Sequence, residues 1–501
     1  MAIFLVDLAN LGHPSEFWDY FYQISRIPRC SRQEEKIRNF IKQEAEKFGF
    51  KHKGDEIGNI AVKIPCLDQK LKCILQCHMD MVCEKNEAVV HDFSKDPLKL
   101  KIIDIDNEKW ITAEGTTLGA DNGVGVCYLL TIMKKVHEND LKFNSLGLDL
   151  LFTVREEYDM GGAKNIEPNL VDGNYLINLD SGQKAITIGC TGGIGFHTRV
   201  KKKTDIIDRG QSNLQPINLS IFGLVGGHSG RCNEGQAHAI NILCQILWKL
   251  NKKYTLHLNK IHGGGAANAI PREAKSIFLI KENQFEEIKS FILENFSEIK
   301  KLYDGIEKDM NISIEKLEDS TNNEVLSKNV QDKLLDLLYI FPNGPIAFHP
   351  KIKDLMFTST NLGKIRTKDD HIKIRWLHRS LSKYYNNDIY EQILTLLELS
   401  GLEKENKYRG SYPPWEPNFN SELLKIAQNT YKELFKEEVD IKIIHGGLEA
   451  TLFIDKIPEI EAIAFGANSK GLHSPDERLE VKSVERTWNF LKHLLNKIDK
   501  F

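Results

Sequence analysis

The chain has 501 residues, too many for a single hydrophobic core, so two or three domains are expected. Hydrophobic residues make up 41% and charged residues 27%, the profile of an ordinary soluble globular protein. A net charge of -3 gives no general pull towards nucleic acid or anionic membranes, and no apolar run is long enough to span a bilayer, so neither partner is expected.

The start, Met1-Ala2-Ile3-Phe4-Leu5-Val6, reaches Asp7 before an apolar region of useful length and carries no basic lead, so no secretory signal is expected. The nine cysteines lie singly, several of them (Cys73, Cys77, Cys127, Cys244) inside apolar patterns. That suits reduced, buried thiols in a cytoplasmic protein. No Cys-x-x-Cys pair occurs, which argues against a zinc ribbon.

Residues 14–27 and 31–48 read as helices, the second opening with Ser31-Arg32-Gln33-Glu34, the pattern of a capping box. Residues 59–64 alternate as a strand. The apolar run 71–77 reads as a buried strand that leads into His78-Met79-Asp80. Residues two apart on an extended chain face one side, so Asp80 is placed to accept the second imidazole N–H of His78. In Thr116-Thr117-Leu118-Gly119-Ala120-Asp121-Asn122-Gly123, one carboxylate stands among small residues just before a helical run over 126–136. Two more strands, 148–154 and 175–179, end at Arg155-Glu156-Glu157 and at Asp180. Strands alternating with helices imply a largely parallel sheet, whose sites form beyond the carboxyl ends of its strands.

After Gly192-Gly193 the character changes. Residues 201–215 are polar and loop-like, and a strand over 217–224 precedes Gly226-Gly227-His228-Ser229-Gly230. Helices are expected at 237–250, 285–302 and 330–339, and strands at 253–258, 276–280, 311–314 and 371–377. This mixed order suggests an α+β insert running to the Ser411-Tyr412-Pro413-Pro414-Trp415 turn. The α/β pattern then resumes: helix 423–435, strand 440–444, His445-Gly446-Gly447-Leu448-Glu449, strand 460–465, the loop Gly471-Leu472-His473-Ser474-Pro475-Asp476 and helix 481–498. The expected fold is α/β, with a discontinuous catalytic domain (1–194 and 415–501) around a mostly parallel sheet. An α+β domain, 195–414, is inserted as a lid.

Two histidines and several carboxylates suffice for two zinc-like ions with Asp121 shared between them. Three ligand carboxylates would largely offset two divalent cations. Of the neighbours Glu156 and Glu157, one would ligate and the other would take a proton from water and pass it to a leaving amine. Singly each residue has a plainer role: Asp121 a helix cap, Glu156-Glu157 a solvated pair, His473 a loop histidine, His228 a tight turn. Together they point to one centre.

Cys77-His78-Met79-Asp80-Met81-Val82, Gly115-Thr116-Thr117-Leu118-Gly119-Ala120-Asp121-Asn122-Gly123, Glu156-Glu157, Asn178-Leu179-Asp180, Gly226-Gly227-His228-Ser229-Gly230 and His473-Ser474-Pro475-Asp476 resemble the M20 metallopeptidases. Within them the likeness is to the branch of cytosolic non-specific and aminoacyl-histidine dipeptidases. The resemblance implies a cytoplasmic hydrolase acting on dipeptides, Xaa-His among them. It also implies two divalent ions, zinc with cobalt or manganese as alternatives, and a lid that serves dimerisation. Carried over, one ion would take His78, Asp121 and Asp180, and the other Asp121, Glu157 and His473. Asp80 would orient His78, Glu156 would be the general base, and His228 would steady the oxyanion in its own or a partner subunit's site. Asn268 and Arg379 would meet the substrate carboxylate, while Glu449 would bind the substrate amine or brace the Gly446-Gly447 turn. The family usually has threonine where this chain has Arg155, a cation placed to pair with a glutamate and depress its pKa. The rival functions are an N-acyl amino acid amidohydrolase on the same scaffold and a non-catalytic metal- or peptide-binding protein.

Overall fold

The computed structural model describes residues 11–182, 184–207, 213–318, 323–457 and 459–501. The opening stretch of the chain and the middle of the loop expected at 201–215 lie outside them. The chain forms two compact units. One holds the residues up to Cys190 with Trp415–Ile443 and Leu448–Phe501, and the other holds Thr191–Pro414 with Ile444–Gly447. No described helix is long and apolar enough to cross a membrane.

The first unit is built on an eight-stranded sheet. Its order is Lys51–Gly54, Ile60–Ile64, Leu146–Thr153, Leu71–His78, Tyr175–Asn178, Glu461–Ala464, Ala185–Cys190, Asp440–Ile444. The four central strands, from Leu146–Thr153 to Glu461–Ala464, pair in parallel, and antiparallel strands flank them. Leu146–Thr153 is buried at every position, as a parallel strand covered on both faces must be. Because these strands share a direction, His78, the residues after Thr153 and those after Asn178 emerge at one edge.

The helix Ala120–His137 is buried continuously from Asn122 to Met133, so it lies inside the unit rather than on its surface. Aromatic rings tie it to the terminal helices. The Phe17 centroid lies 4.9 Å from Tyr128, and Tyr128 lies 6.4 Å from Trp488.

Two sequence expectations fail in this unit. The helix after Ser31 begins at Glu35, and no capping box forms. The Ser31 hydroxyl donates instead to Asp80 Oδ2 (2.6 Å), and Glu34 Oε1 accepts the backbone N–H groups of Arg32 and Arg155. The expectation of reduced thiols holds for Cys73, Cys77, Cys127 and Cys244 but not for Cys30 and Cys83, which form a disulfide. Their segments run side by side, with Cys30 bridged to Met81, and bring the two Cα atoms to 5.8 Å. The hairpin Leu100–Ile105/Glu108–Ala113 was not foreseen, because charge breaks up its half-exposed first strand and its buried second strand has only a short apolar stretch.

The second unit carries a nine-stranded antiparallel sheet with the helices Ala239–Lys253, Phe285–Leu302, Lys328–Ile340 and Lys383–Leu399. The strand expected at 253–258 starts only at His257, since the preceding helix runs to Lys253. Of the described residues among 201–215, Lys201, Thr204–Ile206 and those from Leu214 are strand. The long strands Met356–Thr367 and Lys404–Tyr412 and the helix Lys383–Leu399 escaped sequence reading, their apolar positions being interrupted by charge and glycine.

Truncating Phe17, which is fully buried, should cost about 3–5 kcal/mol of stability in Phe17→Ala, measured by denaturant unfolding. His378 is buried between Phe196 and Tyr390, with no partner for either ring nitrogen among the described residues, and burial pulls its pKa down to about 3. An unfolded imidazole titrates near ~6.5, so below that the unfolded chain takes a proton that the folded one refuses. Stability from this group is therefore present above about pH 6.5 and is lost as pH falls towards the folded value. Thermal unfolding between pH 7 and pH 4.5 should show a steeper acid decline in wild type than in His378→Phe.

Candidate metal centre

The Asp121 turn is shaped by Gly119, whose φ of 67° is left-handed. A Cβ there would stand 2.5 Å from Arg29 Nη2 and 2.7 Å from Met81 Sδ. Asp121 and Asn122 depart from helical geometry, and Asn122 Oδ1 accepts from Gly125 N (2.9 Å), so Asn122 caps the helix. The Asp121 carboxylate is left for the site. Its Oδ1 lies 3.0 Å from His78 Nε2 and its Oδ2 lies 3.3 Å from His473 Nε2.

The other expected groups of this unit gather on the same two histidines. His78 Nε2 is 3.7 Å from Asp180 Oδ1 and 3.9 Å from Glu156 Oε2. His473, in a left-handed turn (φ 62°), stands 3.0 Å from Glu157 Oε2. Three overlapping sets have ligand atoms within 4.8 Å of one another: His78, Asp121 and Asp180; Asp121, Glu157 and His473; and His78, Glu156 and Glu157.

Asp80 meets His78 through both its carbonyl and its carboxylate. His78 Nδ1 faces the backbone carbonyl of Asp80 at 3.1 Å, and the carboxylate stands further off at 3.5 Å. That carboxylate accepts the Ser31 hydroxyl and the backbone N–H groups of Glu156 (3.0 Å) and Glu157 (3.2 Å). It thus fixes the start of the Glu156–Asp159 turn of helix, where both glutamates sit rather than on an extended strand end.

Burial and crowding set the electrostatics. Burial raises Asp180 to about 7, and it raises Glu156 and Glu157 above the usual carboxylate range, assisted by neighbouring acids. Burial would also raise Asp121, but hydrogen bonds with His473 and His78 outweigh it and hold it low. Hydrogen bonds with Asp121 and Glu157 lift His473 to about 11. Glu157 Oε1 is buried without a partner among the described residues. Four acids clustered on two imidazoles are short of positive charge, and a His/carboxylate set with an orphaned carboxylate oxygen suits borderline divalent cations such as zinc.

Arg155 does not pair with a site glutamate. Its guanidinium holds Asp159, one helical turn on. Glu449 is fully buried. Its Oε2 accepts from Gln76 Nε2 (2.7 Å) and Thr153 Oγ1 (2.5 Å), and burial lifts its pKa to about 7.

His228, Asn268 and Arg379 come together in the second unit. His228 pairs with Ala269 across a short ladder, and Ser229 N donates to the Asn268 carbonyl (2.8 Å). Arg379, only 4% exposed, donates to Ser229 Oγ (2.5 Å) and faces His228 Nε2 at 3.3 Å. It has no carboxylate partner among the described residues.

Sequence reasoning passed over Arg29 and Glu477 and read Ser31 only as a helix cap, yet all three touch the ligand-bearing loops directly. Arg29 and Ser31 lie in an irregular segment without periodicity. The available signal for Glu477 was its place four residues after His473.

The sequence matches Peptidase family M20/M25/M40 over residues 74–497. It is 34% identical to the cytosol non-specific dipeptidase of Escherichia coli (strain K12) over 499 residues, 98% of this chain and 99% of that one. The aminoacylhistidine dipeptidase of Vibrio alginolyticus is 30% identical and superposes with a TM-score of 0.81, each chain being covered to 99%. The fold extends to Dug1p, a di-peptidase of Saccharomyces cerevisiae, at 12% identity and a TM-score of 0.56, with 97% of this chain and 96% of that one covered. A family match spanning most of the chain and a full-length relative above 30% identity place the protein in peptidase family M20/M25/M40, enzymes of peptide-bond hydrolysis.

Proposed function

We propose that the protein is a metal-dependent dipeptidase of broad specificity that includes Xaa-His substrates. The observation that carries this is the Asp121 carboxylate, whose two oxygens face two different histidines at 3.0 and 3.3 Å. Such a carboxylate suits a pair of ions, one held by His78, Asp121 and Asp180 and the other by Asp121, Glu157 and His473. What two divalent ions, zinc or in its place cobalt or manganese, supply when bound is Lewis acidity, which polarises the peptide carbonyl and eases deprotonation of water.

The remaining work falls to side chains. Glu156 stands furthest of the three acids around His78 (3.9 Å, against 3.0 and 3.7 Å), so it is the one left to accept a proton from water and return it to the leaving amine. Asp80 orients both glutamates through their backbone N–H groups. Arg379, a buried cation, suits the terminal carboxylate of a short peptide, with His228 and Asn268 beside it. The likeness to relatives named as dipeptidases supports the substrate class. A homodimer through the second unit and a cytoplasmic setting belong to the same reading.

The test is a panel of dipeptides, Xaa-His among them, against N-acetyl amino acids, with and without a chelator. Dipeptides should be cleaved, chelation should abolish cleavage, and added zinc should restore it. Equal or faster cleavage of N-acetyl amino acids would make the protein an amidohydrolase instead, and stoichiometric metal without hydrolysis would make it a binding protein. Glu156→Gln should keep two equivalents of metal and lose at least about 100-fold in kcat; turnover at the wild-type rate would remove Glu156 from its role. Asp80→Asn turns an amide N–H towards a backbone donor. It should cost about 1–3 kcal/mol in denaturant unfolding.

A further inference from the structure

The turn that carries Asp121 is gripped from two sides by residues outside the ligand set. Glu477 Oε2 accepts the N–H groups of Leu118 (2.7 Å) and Gly119 (2.8 Å), and its Oε1 accepts that of Asp121 itself (3.2 Å). Arg29 holds the opposite polarity. Its Nη2 donates to the Gly119 carbonyl, and its Nη1 donates to the carbonyls of Met79 (3.1 Å) and Asp80 (3.2 Å). Both side chains are only 2% exposed. A charged group confined this way has no solvent to satisfy it, so its hydrogen bonds to backbone fix the loops they join.

The braces follow the ligand pairs. Arg29 links the His78–Asp80 loop to the Asp121 turn, and His78 and Asp121 meet at 3.0 Å. Glu477 lies on the loop of His473, its N–H bonded to the Ser474 carbonyl (3.0 Å), and joins that loop to the same turn. His473 and Asp121 meet there at 3.3 Å. The two contacts of the shared carboxylate are thus each duplicated by a buried brace a few ångströms away.

We propose that Arg29 and Glu477 are positioning residues for a dinuclear centre, Arg29 setting the spacing of His78 to Asp121 and Glu477 that of His473 to Asp121. The proposal rests on the two-ion reading above. It differs from a general stabilising role in what it predicts: each brace governs one ion site and not the other.

The experiment is a stepwise Co2+ titration of metal-free protein in competition with a chromophoric chelator, on wild type, Arg29→Lys, Glu477→Gln and the double variant. Metal-free unfolding midpoints are measured alongside. Asp499→Asn is the control, because Asp499 likewise accepts three backbone N–H groups, from Asn144, Ser145 and Leu146, but braces a different segment. Wild type should take up two equivalents. Each single variant should weaken one step by about 10–100-fold and spare the other, and the double variant should weaken both. Asp499→Asn should leave both steps unchanged while lowering the unfolding midpoint. A single variant that weakens both steps alike or neither would overturn the proposal, as would a control that matches the variants or a variant that cannot fold when metal-free wild type does. Fewer than two equivalents on wild type would instead sink the two-ion reading, and the proposal with it.

Discussion

Crowded carboxylates repel one another, and the first unit has gathered Asp121, Glu156, Glu157 and Asp180, all largely withdrawn from solvent, around a buried imidazole and an exposed one. Such a cluster is unfavourable unless positive charge joins it, since each acid must otherwise take up a proton or lose its hydration without return. Much of the local structure serves to hold these groups at short range. Gly119 adopts a conformation that a side chain would block, Asp80 turns its carboxylate to the backbone of the glutamate pair, and Asn122 takes over the capping task that Asp121 would otherwise perform. The parallel strands supply the coarse alignment by delivering His78, the glutamates and Asp180 to one edge.

The charged groups of the second unit behave differently. Arg379 is enclosed beside a hydroxyl and an imidazole rather than an acid, and His378 on the neighbouring position of the same strand is enclosed among aromatic rings. One is a cation available to an anion, and the other is an imidazole kept neutral by its surroundings. Adjacent residues of a strand face opposite sides of the sheet, so the two environments coexist one residue apart.

How much of this the sequence disclosed depended on whether the information was local. The strands leading to His78, Glu156 and Asp180 announced themselves through mostly apolar runs, and the residues following them were the ones to examine. His473 stands in a loop, so it was read as a ligand only by joining it to the other candidates, before the resemblance of its motif gave it a place. The reading of Ser31 and Glu34 as a capping box failed because both side chains are taken by partners distant in sequence, Asp80 and the backbone of Arg155. Arg29 was invisible for the same reason, since a buried ion that serves backbone from another loop leaves no periodic trace, and Glu477 had only its nearness to His473 to mark it. Arg155 was misjudged because a helical turn brings Asp159 within reach, a local fact that the strand assignment had hidden.

In the first unit, the strand Glu461–Ala464 lies between Tyr175–Asn178 and Ala185–Cys190, so the sheet stays open until the last part of the chain is added. The same late segment brings His473 and Glu477. During synthesis, hundreds of residues must therefore leave the ribosome before the proposed ligand set can be complete, and the closure that completes it carries the entropy of a very long loop. Under the two-ion reading proposed above, a polypeptide that ends before this segment lacks His473 and Glu477 and cannot assemble the second ion's ligand set.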